Sequence, residues 1–137
     1  MGSSSEQYPL TGRWVRSRKI TYADKNSTKV ILEVPPKTFI PPFGVSVVVI
    51  TAFSGGSPTI DVGDGDNTDG WVDNADVTAG TAGTYSGTET NTGAYAAAGK
   101  YYANADTIDA ILPNEAITAG AAYVMAYMIA VDDVIDD

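Results

Sequence analysis

A chain of 137 residues has the size of one domain, and a hydrophobic content of 44% excludes global disorder. Cysteine and histidine are both absent, which excludes disulfides, thiol nucleophiles, thiolate–zinc sites and the commonest general base. A formal net charge of −9 argues against nucleic acid as the main partner, because a phosphate backbone attracts cations.

The charge is unevenly placed. Seven of the eight Lys and Arg lie in residues 1–37 against three acids, a local balance of +4. The rest of the chain sets Lys100 alone against fourteen acids, a balance of −13. Such asymmetry predicts that the front segment and the body meet different partners, or each other between copies. No stretch approaches the length of a membrane span, and the polar N-terminus is unlike a signal peptide, so no membrane association is expected.

Residues 1–9 read as a flexible arm, and residues 1–19 are assigned to it as an N-terminal segment. Val30, Leu32 and Val34 alternate with Lys29, Ile31 and Glu33, the period of a half-buried strand. Pro35-Pro36 and Pro41-Pro42 then block helix and central-strand pairing, which predicts a stiff extended crossing over 35–44. Val45 to Phe53 is β-branched and apolar on both faces, a central strand. Ser54 to Pro58 turns it and Thr59 to Val62 returns, predicting a hairpin.

Residues 63–99 hold Gly, Asp, Thr and Ala with few large apolar side chains, and read as long loops with short strands around Trp71–Val72 and Thr84–Thr88. Thr78-Ala79-Gly80 and Thr118-Ala119-Gly120 repeat one turn-then-strand device. Strands resume at Lys100–Ala103 and Thr107–Leu112. Ala122 to Val131 is apolar on both sides; its Ala, Met and Ile also permit a helix, with strand favoured. Asp132 to Asp137 is an acidic tail. The expected fold is all-β, an antiparallel sandwich or jelly roll over 20–131.

Three constellations carry chemistry. Asp64, Asp66 and Asp69, interleaved with Gly65, Asn67 and Gly70, resemble an oxygen-ligand calcium loop, but no closing Glu or flanking helices complete it. Turn chemistry explains the same residues, so no metal or cofactor is expected. Carboxylates at Asp61, Asp64, Asp73 and Asp76 are raw material for a glycosidase pair, yet spacing alone places no two of them together, and no catalytic residue is assigned.

Six tyrosines from Tyr85 onward join Trp14 and Trp71, residues enriched at interfaces and sugar platforms. Tyr123, Met125 and Tyr127 are assigned to contacts between copies. Trp71, Tyr85 and Tyr95 form the alternative, an exposed carbohydrate- or receptor-binding site on the loops. Arg13, Trp14, Arg16, Arg18 and Lys19 interleave cations with an aromatic ring, and are assigned to docking on an acidic partner.

The order of these signatures is similar to that of small β-sandwich virion proteins of tailed bacteriophages, head decoration (cement) proteins and head-fibre or tail domains among them. The residues that carry it are the β-branched strand, Ser54-Gly-Gly-Ser-Pro-Thr-Ile-Asp-Val-Gly63, the Asp/Gly loop ending in Gly70-Trp71, the Ala-Gly-Thr-Tyr85 turn and Gly99-Lys-Tyr-Tyr-Ala-Asn-Ala-Asp106-Thr-Ile108. The resemblance spans roughly residues 28–131. It implies a non-enzymatic subunit that is made in the host cytoplasm and assembles, often as a trimer, on a capsid surface. Its partners would be the major capsid protein and other copies of itself.

Overall fold

The computed structural model describes residues 7, 9–73, 78–87, 95–113 and 116–131. Among these residues ten strands build two antiparallel sheets: β1 Thr11–Arg16, β2 Ile20–Thr21, β3 Thr28–Val34, β4 Thr38–Ile40, β5 Val45–Ser54, β6 Asp61–Gly63, β7 Gly83–Ser86, β8 Lys100–Tyr102, β9 Asp106–Ile111 and β10 Ala119–Ala130. The larger sheet runs β7-β5-β10-β4-β8, with β1 and β2 on the other side of β10; the smaller runs β3-β9-β6. The expected all-β antiparallel sandwich is what the chain forms.

β10 organises the larger sheet. Along one side it pairs with β5 and then β4, and along the other with β2 and then β1. Bonding on both sides settles strand over helix for this Ala- and Met-rich run, since tertiary pairing overrides propensity. Its burial alternates: Ala122, Val124, Ala126 and Met128 face the core, while Tyr123, Met125 and Tyr127 lie half-buried on the outer face. Gly120 sits at φ 127° where the β10–β5 register slips, packed against the Phe53 ring, a conformation and a closeness that suit only glycine.

The interruption between β1 and β2 is sealed by Ser17. Its N–H donates to the Val124 carbonyl at 2.8 Å, and its Oγ accepts from the Val124 N–H at 2.9 Å, so the buried Val124 amide keeps both partners.

The core lies between the sheets. Val45, Val47, Val49, Val124 and Ile40 from the larger sheet share one buried cluster with Leu32, Val34, Val62 and Ile108 from the smaller. Trp71 and Val72 enter the same cluster from the 63–73 loop, and Val62–Val72 forms an isolated bridge there.

Three expectations change. Thr59–Val62 does not return along β5: Asp61–Gly63 pairs with β9 in the other sheet, so Ser54–Ile60 crosses between layers. The crossing over 35–44 carries a short strand, β4, bracketed by left-handed Lys37 (φ 58°) and Phe43 (φ 56°). The segment assigned to an N-terminal arm contains β1, paired with β10 from Thr11↔Ala130 to Arg16↔Met125. The tail 132–137 lies outside the described residues.

The two Thr-Ala-Gly turns meet at one place. Phe53 N–H donates to Ala79 O at 2.9 Å and Thr118 N–H donates to Ser54 O at 2.8 Å, so both turns clamp the end of β5.

Candidate functional site

Two groups of chemistry-bearing side chains stand out, one on the outer face of the larger sheet and one buried beneath the loop after β6.

On the outer face, register sets Trp14 opposite Tyr127 and Arg16 opposite Met125. The Trp14 and Tyr127 rings pack tilted with centroids 5.3 Å apart, and the Arg16 guanidinium lies 4.6 Å over the Tyr123 ring. Tyr123 pairs in turn with Val48 of β5. Trp14 is 58% exposed and Ile50, farther along β5, is 55% exposed. The result is an aromatic and aliphatic surface with a cation over one ring. Trp, Tyr and Arg are the side chains that dominate interface energetics.

The five residues assigned to partner docking therefore divide. Trp14 and Arg16 join the Tyr123–Met125–Tyr127 face. Arg13 pairs with Met128, an inward-facing residue, and so borders a groove on the other side of β1. Arg18 is bound within its own chain: both terminal nitrogens contact Asp24, at 3.2 and 3.3 Å. Asp24 also accepts from Thr21 N–H at 3.0 Å, closing a capping box on the 3₁₀ turn Tyr22–Asp24. Burial alone would raise the Asp24 carboxyl, but Arg18 and the Thr21 N–H hold it below its ordinary value. Lys19 is exposed.

The buried group centres on Asp64, whose side chain is fully inaccessible. Its Oδ2 accepts from Lys100 Nζ at 2.7 Å and from the Tyr102 hydroxyl at 2.8 Å. Its Oδ1 accepts from the Asp66 and Asn67 N–H groups, both at 3.0 Å, and from Tyr95 at 3.2 Å. Trp71 Nε1 donates to the Tyr102 hydroxyl at 3.0 Å. Lys100 completes the group by lying over the Tyr95 and Tyr102 rings, 4.3 and 4.7 Å from their centroids.

The electrostatics follow from this packing. Burial would raise Asp64, but hydrogen bonds from Lys100, Tyr102 and the two loop amides outweigh it and hold the carboxyl below the usual carboxylate range. Burial would lower Lys100, yet its bonds to Asp64 and Tyr95 push the ammonium upward instead. Burial beside Asp64 raises both Tyr95 and Tyr102. Each of these groups is driven away from neutral pH, the reverse of what an acid–base catalyst needs. The arrangement is a structural tie that fastens the loop after β6 to β8 and to Tyr95.

The geometry bears on two of the sequence constellations. Asp64, Asp66 and Asp106 bring carboxylate oxygens within 4.8 Å of one another, and Asp69 is not in that group. Lys100 Nζ lies 2.7 Å from Asp64 and 3.6 Å from Asp66. Asp69 N–H instead caps the Asn67 side chain at 3.3 Å, ordinary turn chemistry. The exposed platform of Trp71, Tyr85 and Tyr95 is overturned at its centre: Trp71 is 0% exposed and packs edge-on to Tyr95. Tyr85 donates its hydroxyl to Thr81 O at 2.8 Å. Asp76 lies outside the described residues.

Sequence reading missed Lys100 and Tyr102 as a site. The signal was there: Lys100 is the one cation after residue 37. A lone lysine in so acidic a body has a partner waiting.

No protein-family model matches the chain, and no curated protein does. Two solved structures share its fold. One is the cyanophage Pam1 capsid asymmetric unit, with TM-score 0.62 and 12% identity over 94% of this chain and 91% of that chain. The other is the acidic stable capsid structure of Helicobacter pylori bacteriophage KHP30, with TM-score 0.61 and 11% identity over 89% of this chain and 95% of that chain. The coverages are nearly reciprocal, so the matching chains are of this chain's own size. At such identities the likeness is one of fold: this chain folds as those capsid chains do.

Proposed function

We propose that this chain is a non-enzymatic structural protein of a tailed-phage virion, a decoration or cement subunit on the capsid surface. The observation that carries the reading is the match, over almost the whole of both chains, to small chains in two phage capsid structures. The outer face of the larger sheet supplies the contact: Trp14, Arg16, Tyr123, Met125 and Tyr127 bury against the major capsid protein or a neighbouring copy, with the trimer as the expected assembly. A subunit that binds only the assembled lattice stabilises that state by mass action. The acidic loops on the remaining surface keep crowded copies apart.

The test is a binding experiment on purified capsids stripped of the protein. Wild-type protein added back co-sediments saturably and raises the temperature at which the shell opens. Trp14→Ala lowers the affinity by roughly thirtyfold, the cost of about 2 kcal/mol expected for an interface anchor. Absence of the protein from intact particles by mass spectrometry, together with no binding to stripped shells, would overturn the reading.

A further inference from the structure

Beside β1, on the core side of the larger sheet, lies a groove of about 400 Å³ that the outer-face contact does not use. Met128, Ala130, Pro35 and Pro36 give it an apolar floor and wall, and Arg13 and Lys37 stand at its rim. Among the described residues neither cation belongs to an ion pair. The two prolines fix one wall, so the groove needs little ordering before something enters it. Lys37 itself is held in the left-handed region at φ 58°, a conformation that costs a non-glycine residue energy and that recurs at binding sites.

A groove with an apolar floor and two cations at its rim fits an extended peptide of acidic, apolar, acidic pattern. This chain contains that pattern at Asp132-Asp-Val-Ile-Asp-Asp137. We propose that the groove binds the acidic tail of a neighbouring copy, seating Val134 and Ile135 on Met128 and the prolines while the flanking aspartates meet Arg13 and Lys37. The neighbour is chosen over the same chain on geometry. Val131 N–H bonds Lys37 O at 2.8 Å, so the backbone is still tied in the strand direction at the residue before the tail. A reversal takes a four-residue turn, which would consume 131–134 and leave Val134 in the turn rather than on the floor. A tail from another copy enters without any turn. The contact makes front segment and tail complementary halves of one joint, which accounts for the opposite charges of the two ends of the sequence.

The absence of native cysteine makes the test clean. Full-length Pro36→Cys and full-length Ile135→Cys are mixed under mild oxidation, both rim cations being retained. The proposal expects a covalent heterodimer on a non-reducing gel, reduced at least tenfold when the Pro36→Cys chain also carries Arg13→Glu and Lys37→Glu. High salt weakens the yield in parallel, as for any charge-steered contact. A chain carrying both cysteines that closes on itself, with no heterodimer in the mixture, overturns the proposal in favour of an intramolecular tail. No cross-link in either experiment overturns the groove as the tail's site. Neither arm involves the capsid shell, so failure here is distinct from failure of the shell-binding reading.

Discussion

Gly12 lies directly beneath the ring of Tyr127: a Cβ at position 12 would stand 2.5 Å from the Tyr127 hydroxyl oxygen. The glycine is what lets the ring lie close over β1 and pack tilted against Trp14. Gly12→Val is expected to lift Tyr127 off the sheet and break its packing against Trp14. The ring is the mobile end of a side chain on an outer face, so stability should fall by only about 1 kcal/mol, while binding to stripped shells should fall at least as far as it does in Trp14→Ala. Thermal melting and capsid sedimentation measure the two effects separately. A variant that binds as tightly as wild type would remove the aromatic face from the contact.

Removing Lys100 leaves Asp64 charged and buried with its main counter-ion gone. Lys100→Met is expected to cost about 3–5 kcal/mol, the range for breaking one side of a buried pair. The double change with Asp64→Asn should recover part of that loss. Urea denaturation followed by tryptophan fluorescence reads it well, because Trp71 is buried against Tyr102 while Trp14 is exposed. A single variant as stable as wild type would mean that the tie contributes nothing.

The same pair sets a pH profile. Asp64 is held below its ordinary value, so its contribution is complete above the unfolded carboxylate pKa of about 4 and is lost as pH falls through the lower, folded value. Lys100 is pushed above its ordinary value, so its contribution is complete below an unfolded pKa of about 10 and is lost as pH rises through the folded value. Asp109 works against the first edge: burial, with Asp106 and Asp64 nearby, raises its carboxyl, and acidification relieves it. Asp64 should dominate because it is the more deeply buried. Stability is therefore expected to be flat from about pH 5 to pH 9 and to fall on both sides. A denaturation midpoint that climbs steadily from pH 7 to pH 4 would contradict the assignment.

Truncation separates the arm from the sheet. Deleting residues 1–9 leaves β1 intact and should change the melting temperature by no more than a few degrees. Deleting 1–19 removes β1 and Ser17, strips one side of β10 from Met125 to Ala130, and leaves a bare strand edge. That protein should aggregate, as exposed edges do, and light scattering against the shorter truncation will show it. Attachment lost in the longer truncation alone would thus report a damaged sheet, not a missing anchor.

Much of the fold was legible because it depends on local pattern. Val45–Phe53 announced β5 through β-branching, and the alternation in 28–34 announced β3, although a register slip between Val30 and Leu32 lets Ile31 and Leu32 both turn inward. What was not legible depends on partners far along the chain. Thr59–Val62 looks like a returning strand from either sheet, and only pairing with β9 decides which. Arg13 to Lys19 reads as one basic cluster, yet a strand sends Arg13 and Arg16 to opposite faces and the 3₁₀ turn claims Arg18. The Asp/Gly loop shows its turns in sequence, but its cation arrives from Lys100, more than thirty residues later.

The position of β10 also dictates when the molecule becomes whole. β1, β2, β4 and β5 are all made before β10, yet each is hydrogen-bonded to it, β1 and β2 flanking it on its other side. The larger sheet therefore stays open until residues 119–130 have been made, and the pairing of β1 and β2 with β10 joins segments a hundred or more residues apart, a slow kind of encounter. A chain stopped short of residue 119 would carry β1, β2, β4 and β5 and still lack the strand that joins them.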